Sequence, residues 1–259
     1  MISVQRREKI KQIITEKKTV SVSTLAEYFS VSLETIRRDL AALEAEGLIE
    51  KSYGGATLKR RVSSQAPQLE KINFMVNEKN RIAKAAAAFI QQNDCIFLDH
   101  STTVLAMCEY MDDIPITVVT NSLPVFNKLA AKSYITLQSV SGIFQPKTQA
   151  FWGTDTLRYV QEHYFDKTFF SCRCLDIQRG IHDSSEDVAN IHKYIIANSN
   201  TKFLLADHNK FGRTAFTRVC DLADVDYLIT DSPLSEDWSA GLAAKNIHVI
   251  IGEDIIYDA

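Results

Sequence analysis

The pattern of apolar and polar positions divides the chain near residue 78. Before that point, the spacing predicts three short amphipathic helices: one over the basic N-terminal stretch, one capped by Ser21 or Ser23 and one capped by Ser32. In the third helix, Ile36, Leu40 and Leu43 recur four and then three residues apart and form one apolar face. After residue 78, short runs rich in Val, Ile, Leu and Phe alternate with helical stretches, which predicts βαβ units and a mainly parallel sheet.

These elements predict two domains. Residues 1–58 are predicted to end in a β-hairpin, because residues 48–53 alternate like a strand and Gly54-Gly55 suits the turn. Residues 59–77 have weak periodicity and are predicted to be a linker, with some helix after Pro67. Residues 78–259 are predicted to form an α/β domain. Its predicted strands are residues 95–99, 116–120, 135–140, 167–172, 202–207, 227–231 and 248–252.

The second and third helices, joined by a short turn, form a helix-turn-helix pattern that favours DNA binding. Since the apolar face of the third helix turns to the core, Arg37 and Arg38 project outward, where an arginine can bind guanine with two hydrogen bonds. The hairpin would then be a wing that contacts the DNA backbone or the minor groove. The candidate DNA-contacting residues are Arg6, Arg7, Ser21, Ser32, Thr35, Arg37, Arg38, Lys51, Tyr53, Gly54 and Gly55.

The distribution of charged residues also divides the chain into two parts. The whole chain has a net charge of −3, which by itself does not suggest a nucleic-acid partner. Residues 1–61, however, hold 12 Lys and Arg against 8 Asp and Glu, a net charge of +4, whereas residues 62–259 hold 17 against 24, a net charge of −7. The two domains are therefore predicted to have different partners. No apolar run is long enough to span a bilayer, and five cysteines without a secretion signal indicate a reducing, cytoplasmic setting.

Polar side chains follow several of the predicted strands, and ligands of open parallel sheets bind at the carboxyl ends of strands. The strand ending in Asp99 continues into a Ser-Thr-Thr run, the next is followed by Asn121-Ser122, and another ends in Asp207. Hydroxyls and backbone N–H groups at a helix N-terminus suit a phosphate. Asp and Asn side chains suit the hydroxyls of a polyol. This edge of the sheet is therefore predicted to bind a phosphorylated polyol.

The run VSVSTLAEYFSVSLETIRRDLAALEAEGLIEKSYGGA resembles the DeoR-type winged helix-turn-helix, and DHSTT, TVVTNSLP and LLADHNKFGR resemble the sensor domain of the same family. The resemblance implies an N-terminal winged helix-turn-helix and a mainly parallel C-terminal α/β domain related to phosphosugar isomerases. It implies a repressor of carbohydrate genes with double-stranded operator DNA as partner, a sugar phosphate as effector, and a homo-oligomer. Carried over by position, the effector-site candidates are Asp99, Ser101, Thr102, Thr103, Asn121, Ser122, Gly142, Asp207 and Lys210.

The sequence departs from the usual family pattern within this site. Ser101 stands where the family usually has Gly, and Val188 and His192 stand where it has Glu and then Lys. Either His192 or the adjacent Lys193 is therefore a candidate for the basic effector contact. These departures indicate an atypical ligand or a weakened site.

Three alternatives remain open at this point. The α/β domain could be an isomerase-like enzyme, although no paired acid–base signature supports catalysis. The N-terminal helices could bind a protein rather than DNA. Cys172 and Cys174, with His182 or His192 nearby in sequence, could hold a metal, but a second cysteine pair at zinc-site spacing is missing. We therefore expect no metal and no other cofactor.

Overall fold

The computed structural model describes residues 3–17, 19–45, 49–52, 54–58 and 68–253. The chain separates into two compact units, Met1–Ser64 and Gln65–Ala259. Within the described ranges, no helix is long and apolar enough to cross a membrane. Each unit buries its own apolar core.

The N-terminal unit contains the three predicted helices, α1 (Ser3–Lys17), α2 (Val22–Phe29) and α3 (Leu33–Ala45). The Ser21 hydroxyl caps α2 by accepting a hydrogen bond from the backbone N–H of Thr24 at 3.0 Å. The Ser32 hydroxyl accepts the corresponding bond from Thr35 at 3.2 Å and caps α3. Of the two serines predicted as the first cap, Ser21 and Ser23, the structure has Ser21, and the predicted cap Ser32 closes the turn between α2 and α3.

A three-stranded antiparallel sheet completes this unit. Strands β1 (Thr19–Ser21), β2 (Ile49–Ser52) and β3 (Gly55–Leu58) lie in the order β1-β3-β2. The hairpin of β2 and β3 is the predicted wing, whereas β1 is too short to show alternation in the sequence. Gly55 lies where a Cβ atom would be 2.3 Å from the carbonyl oxygen of Val20, so β1 and β3 approach closely because that residue has no side chain.

A buried ion pair joins α1 to α3. Nε of Arg6 lies 2.5 Å from Oδ2 of Asp39, and both residues are less than 10% exposed. The assignment of Arg6 to the DNA-contacting set is therefore wrong, because its guanidinium is engaged inside the unit. Position 6 is basic, like the partly exposed Arg7 beside it, and the sequence alone does not separate an inward arginine from an outward one.

The C-terminal unit is built on a seven-stranded parallel sheet in the order β15-β14-β12-β9-β4-β5-β6. In chain order these strands are β4 (Cys95–Leu98), β5 (Ile116–Thr120), β6 (Ile135–Ser139), β9 (Phe165–Ser171), β12 (Ser199–Leu205), β14 (Tyr227–Thr230) and β15 (His248–Ile251). All seven were predicted to within a few residues. The helices are α4 (Gln68–Ile72), α5 (Val76–Ala87), α6 (Thr102–Met107), α7 (Leu123–Leu129), α8 (Thr154–Glu162), α9 (Glu186–Ala197) and α10 (Glu236–Ala243).

The sheet separates two apolar clusters, because successive side chains on a strand point to opposite faces. Phe169 and Phe203 belong to the cluster that includes the apolar faces of α5, α6 and α7. Phe170 and Leu204, one residue further along the same strands, belong to the cluster with α8, α9 and α10. The parallel sheet is thus covered on both faces, as its continuous apolar strands predict.

Short antiparallel strands, which the sequence analysis does not predict, lie beside the main sheet. They are β7 (Ile143–Gln145) paired with β8 (Ala150–Trp152), and β11 (Gly180–Asp183) between β10 (Cys174–Asp176) and β13 (Thr217–Cys220). Each has only three or four residues, and none belongs to the series of apolar runs separated by helices that predicts the parallel strands.

The end of the predicted linker also needs correction. Gln68, within the 59–77 segment, is buried, and its backbone N–H donates to the carbonyl of Lys147 at 3.0 Å. Residues 68–77 therefore pack as part of the second unit. The helix expected after Pro67 is α4.

The Arg6–Asp39 pair predicts a stability effect. Replacing Arg6 with Met leaves the Asp39 carboxylate buried without its partner, and we expect the free energy of unfolding of this unit to fall by about 3–5 kcal/mol. Hydrogen exchange of α1 and α3 in the full chain measures this loss. Lys9→Met, at an exposed position on α1, is the control and changes stability by less than about 0.5 kcal/mol. Unchanged exchange in the Arg6 variant would show that the pair is not structural.

Candidate functional site

The exposed side of α3 carries two arginines. The side chains of Arg37 and Arg38 are 61% and 81% exposed and lie 3.6 and 3.8 Å from the carboxylate of Glu34 on the same helix. Such exposed pairs contribute little to stability and break readily. Both guanidinium groups are therefore available to a partner on the outer face of α3.

The other described candidates in this unit lie around that helix. Ser21 and Ser32 act as helix caps, and Thr35 shares a hydrogen bond of 2.9 Å with the Ser32 hydroxyl. On β2, Nζ of Lys51 pairs with Glu44 at 2.9 Å, while Arg7 is partly exposed on α1. Gly54 lies in the hairpin turn with a positive φ of 79°, whereas Gly55, which was expected in the turn, is the first residue of β3 and pairs with Ser52. The prediction for Tyr53 lies outside the described residues.

In the C-terminal unit, the carboxyl edge of the sheet is organised around the buried Asp99. Its Oδ1 accepts the backbone N–H of Ser101 at 2.8 Å, and its Oδ2 accepts that of Ser171 at 3.0 Å. Nε2 of His192, on α9, lies 3.2 Å from Oδ2. Burial alone raises the pKa of Asp99, but the hydrogen bond and the charge interaction with His192 outweigh it and hold that pKa below its ordinary value. Asp99 is therefore ionised.

Of the two neighbouring candidates on α9, the structure brings His192 to this site. His192 is 1% exposed and faces Asp99, whereas Lys193 is exposed on the outside of the helix. The His100 ring packs edge-on against the Trp152 ring, with centroids 4.8 Å apart. Burial lowers the pKa of His100 to about 4, so its imidazole is neutral at physiological pH.

The remaining residues predicted for the effector site differ in burial, and some of them cap helices. Ser101 and Ser122 cap α6 and α7 with their hydroxyls, so these serines also have a structural role. Thr102 is partly exposed and Thr103 is buried. Oδ1 of Asn121 is buried without a hydrogen-bond partner among the described residues. Gly142 is exposed, and a Cβ atom there would lie 2.2 Å from Oγ1 of Thr156, so close packing requires glycine at that position.

Lys210 is linked to Asp99 through Ser171. Its Nζ donates to the Ser171 hydroxyl at 2.5 Å and to the Cys172 carbonyl at 2.8 Å, and lies 3.9 Å from Asp207. Since the Ser171 N–H is bound to Asp99, the predicted residues Asp99, Asp207 and Lys210 form one connected polar cluster.

Two lysines that the sequence analysis missed add positive charge near this cluster. Burial, with nearby Arg173, Lys210 and Lys147, lowers the pKa of Lys71 to about 8, although Asp183 opposes the shift. Burial and the charge of Lys210 likewise lower the pKa of Lys79 to about 8, against the effect of Asp207.

The Lys79 signal was present in the sequence. Lys79 lies three, four and seven residues before Ile82, Ala83 and Ala86, on the apolar face of α5. A lysine within such a face is a candidate for a buried functional charge. Lys71 has no comparable signal, because the segment before it has weak periodicity.

The cluster has a donor set that could suit a cation. Asp99, His100 and His192 each offer a ligand atom within 4.8 Å of the others, and two imidazoles with one carboxylate suit transition metals. A metal-bound imidazole normally donates its second ring N–H to an acceptor. Nδ1 of His192 is buried without a partner among the described residues. A metal on Nε2 would leave that N–H unsatisfied, and the nearby ammonium groups would repel it, so the geometry favours an anionic ligand.

Comparisons with known proteins agree with this two-part organisation. A family model described as the DeoR-like helix-turn-helix domain matches residues 6–62. A second model, the DeoR C terminal sensor domain, matches residues 75–232. Over 249 residues the chain is 36% identical to the uncharacterized HTH-type transcriptional regulator YulB of Bacillus subtilis, a match that covers 96% of each protein.

Two further matches have lower sequence identity and cover less of this chain. The chain is 31% identical over 240 residues to the lactose phosphotransferase system repressor of Staphylococcus epidermidis, covering 90% of this chain and 93% of that protein. Ribose 5-phosphate isomerase A from Methanocaldococcus jannaschii matches 51% of this chain and 53% of its own, at 14% identity and a TM-score of 0.38. From the two family models and the relative that matches nearly end to end, the chain belongs to the DeoR family of helix-turn-helix transcriptional regulators.

Proposed function

We propose that the chain represses a carbohydrate-utilisation operon, and that a phosphorylated sugar or related metabolite controls its binding to operator DNA. The observation that carries the effector proposal is the gathering of Lys71 and Lys79 near Lys210, which lies beside Asp207 and is linked through Ser171 to Asp99. Ammonium groups suit a phosphate, and carboxylates accept hydrogen bonds from sugar hydroxyls. A relative whose name describes a lactose phosphotransferase system repressor supports the same class of function.

The DNA-binding half of the proposal rests on α3. Its exposed arginines are placed to enter the major groove, the N-terminal residues carry net positive charge, and the family match covers this unit. Helix-turn-helix proteins commonly bind symmetric half-sites, so we propose a homo-oligomer. For control by the effector, the ligand must bind the DNA-competent and DNA-incompetent states with different affinity.

We propose that this edge of the sheet binds its ligand but does not catalyse a reaction of it. Both oxygens of Asp99 already accept hydrogen bonds, so this carboxylate is poorly placed to act as a free base. Incubation with ribose, glucosamine and tagatose phosphates should therefore yield no isomerised product. Turnover that Asp99→Asn abolishes would instead identify an enzyme.

Replacing an exposed arginine of α3 tests the proposed DNA contact. Arg38→Ala should weaken binding to the DNA upstream of the chain's own gene by about 1–3 kcal/mol and relax its base preference, measured by electrophoretic mobility shift. Arg158→Ala is a suitable control, because Arg158 is 62% exposed in the other unit and pairs with an acidic residue one turn away on its own helix. Equal losses on cognate and random DNA would make Arg38 a phosphate contact, and no loss at all would favour a protein partner.

The proposed role of Lys71 and Lys79 makes the affinity for a sugar phosphate depend on pH. Ribose 5-phosphate keeps its full negative charge above about pH 7, since the second pKa of a phosphate ester lies near 6. An anion prefers the protonated form of Lys71 and Lys79, whose pKa values are about 8, so affinity should fall as pH rises from 7.5 to 9.5. The expected loss is at least about tenfold, measured by calorimetry.

Lys79→Met should bind more weakly at pH 7.5 and show a shallower pH profile. Lys84→Met changes an exposed lysine on the same helix and should behave like the unmodified protein. An affinity that stays constant across this range would contradict the role of the two lysines. If ribose, tagatose and glucosamine phosphates all fail to bind, the effector is not a phosphorylated sugar of this kind.

A further inference from the structure

The outer face of α3 places an apolar residue in line with an arginine. Leu33, Arg37 and Ala41 follow one another at intervals of four residues and are all exposed, so they form one row along the helix. Glu34 and Arg38 lie beside this row, and Glu34 pairs with both arginines. The face that α3 offers to a partner therefore begins, at its N-terminal end, with a leucine.

Leu33 does not belong to the core of its unit. Its exposed fraction is 46%, although it comes only three residues before Ile36, which is 0% exposed. Among the described residues, the apolar cluster of this unit includes Ile36, Leu40 and Leu43 but not Leu33. An exposed leucine is ordinary on a protein surface, so exposure alone gives it no role. Its place in the first turn of α3, in the same row as Arg37, makes it a candidate for contact with DNA.

The turn before α3 holds this end of the helix in place. Ser30 ends α2 in the left-handed conformation, with a φ of 52°, and the backbone N–H of Val31 donates to the carbonyl of Ala26 at 3.0 Å. Ser32 then caps the first turn of α3 with its hydroxyl. Leu33 is therefore carried by a backbone that is fixed on both sides rather than by a free loop.

The chemistry of the major groove determines which base suits an apolar side chain. Every base presents hydrogen-bonding groups there, and only thymine adds a methyl group. A leucine against the amino or carbonyl group of another base removes water from that group without replacing its hydrogen bond, which costs free energy. Against the thymine methyl, it removes apolar surface of both partners from water. A leucine at the start of a helix that lies in the groove therefore favours thymine.

We propose that Leu33 determines part of the operator sequence by contacting the C5-methyl group of a thymine within about two base pairs of the base that Arg37 contacts. The inference rests on the proposed binding of operator DNA by α3 and names one of the bases that are read. Leu33 and Arg37 are about 6 Å apart along the helix axis, at 1.5 Å per residue, and base pairs are spaced by about 3.4 Å. Ala41 has a small side chain, which lets the same row of α3 approach the groove closely.

Replacing thymine with deoxyuridine removes the methyl group alone and tests this contact directly. The probe is the tightest duplex that the unmodified full chain selects from a pool of random sequences, and each of its thymines is replaced singly by deoxyuridine. At the thymine that Leu33 contacts, the replacement should weaken binding by about three- to fivefold, the usual effect of losing one buried methyl group. Mobility shift measures the affinities.

Variants at position 33 assign the effect to this side chain. Leu33→Ala should lose most of the deoxyuridine effect at that thymine and respond normally to replacements elsewhere in the probe. Leu33→Asn keeps a side chain branched at Cγ but removes the apolar surface, and it should lose the effect as well. Leu33→Met should retain it. Val249→Ala changes an exposed apolar residue of the second unit and should keep the whole pattern.

The outcomes separate this inference from the proposed function. If the unmodified chain selects no duplex from the pool, the DNA-binding half of the proposed function fails. If it selects a duplex but no deoxyuridine weakens its binding, the inference fails while the proposed function stands. The inference also fails if Leu33→Ala responds to every replacement as the unmodified chain does. Should thermal unfolding show that Leu33→Ala is not folded, the same comparison is made with Leu33→Asn.

Discussion

The carboxylate of Asp99 is buried and charged, and the carboxyl edge of the sheet depends on compensating that charge. Its hydrogen bonds come from three separate segments: the loop after β4, the end of β9 at Ser171, and His192 on α9. Leaving a buried charge without its partners is strongly destabilising, so these segments are constrained to meet. Lys210 is then attached through the Ser171 hydroxyl. The position of one anion thereby fixes the relative positions of the loops that form the candidate effector site.

The N-terminal unit also contains a buried carboxylate, and there an arginine compensates its charge. Arg6 and Asp39 neutralise each other between α1 and α3, and this leaves Arg37 and Arg38 as the exposed cations of α3. A buried pair seldom adds much stability compared with apolar packing, but removing one partner is costly. Its value here is geometric, because the pair fixes α3 against α1 while the opposite face of α3 stays free for a partner.

The helices and strands that could be predicted from the sequence are those in which apolar residues recur at a regular spacing. The seven parallel strands, the helices between them and the winged helix-turn-helix are all visible in the spacing of apolar residues, and the capping serines 21 and 32 follow from helix chemistry. The antiparallel strands β1, β7, β8, β10, β11 and β13 were missed because none of them alternates recognisably or belongs to the series of apolar runs separated by helices. Arg6 was misassigned because burial of a cation depends on Asp39, a partner 33 positions away. Of the effector candidates, the strand-end residues were predicted from topology, whereas Lys71 needed the three-dimensional structure.

The charges of the second unit show why net charge is a poor guide to its ligand. Residues 62–259 have a net charge of −7, yet the interactions that lower the pKa values of Lys71 and Lys79 include repulsion from other cations. Charges in water are largely screened beyond about 8 Å at physiological ionic strength, so a bound anion responds mainly to the groups around it. Lysines that are buried and repel one another are less stable as cations, and a bound phosphate offsets both effects. In the proposed complex, neutralising these lysines would favour a compact dianion over a neutral sugar.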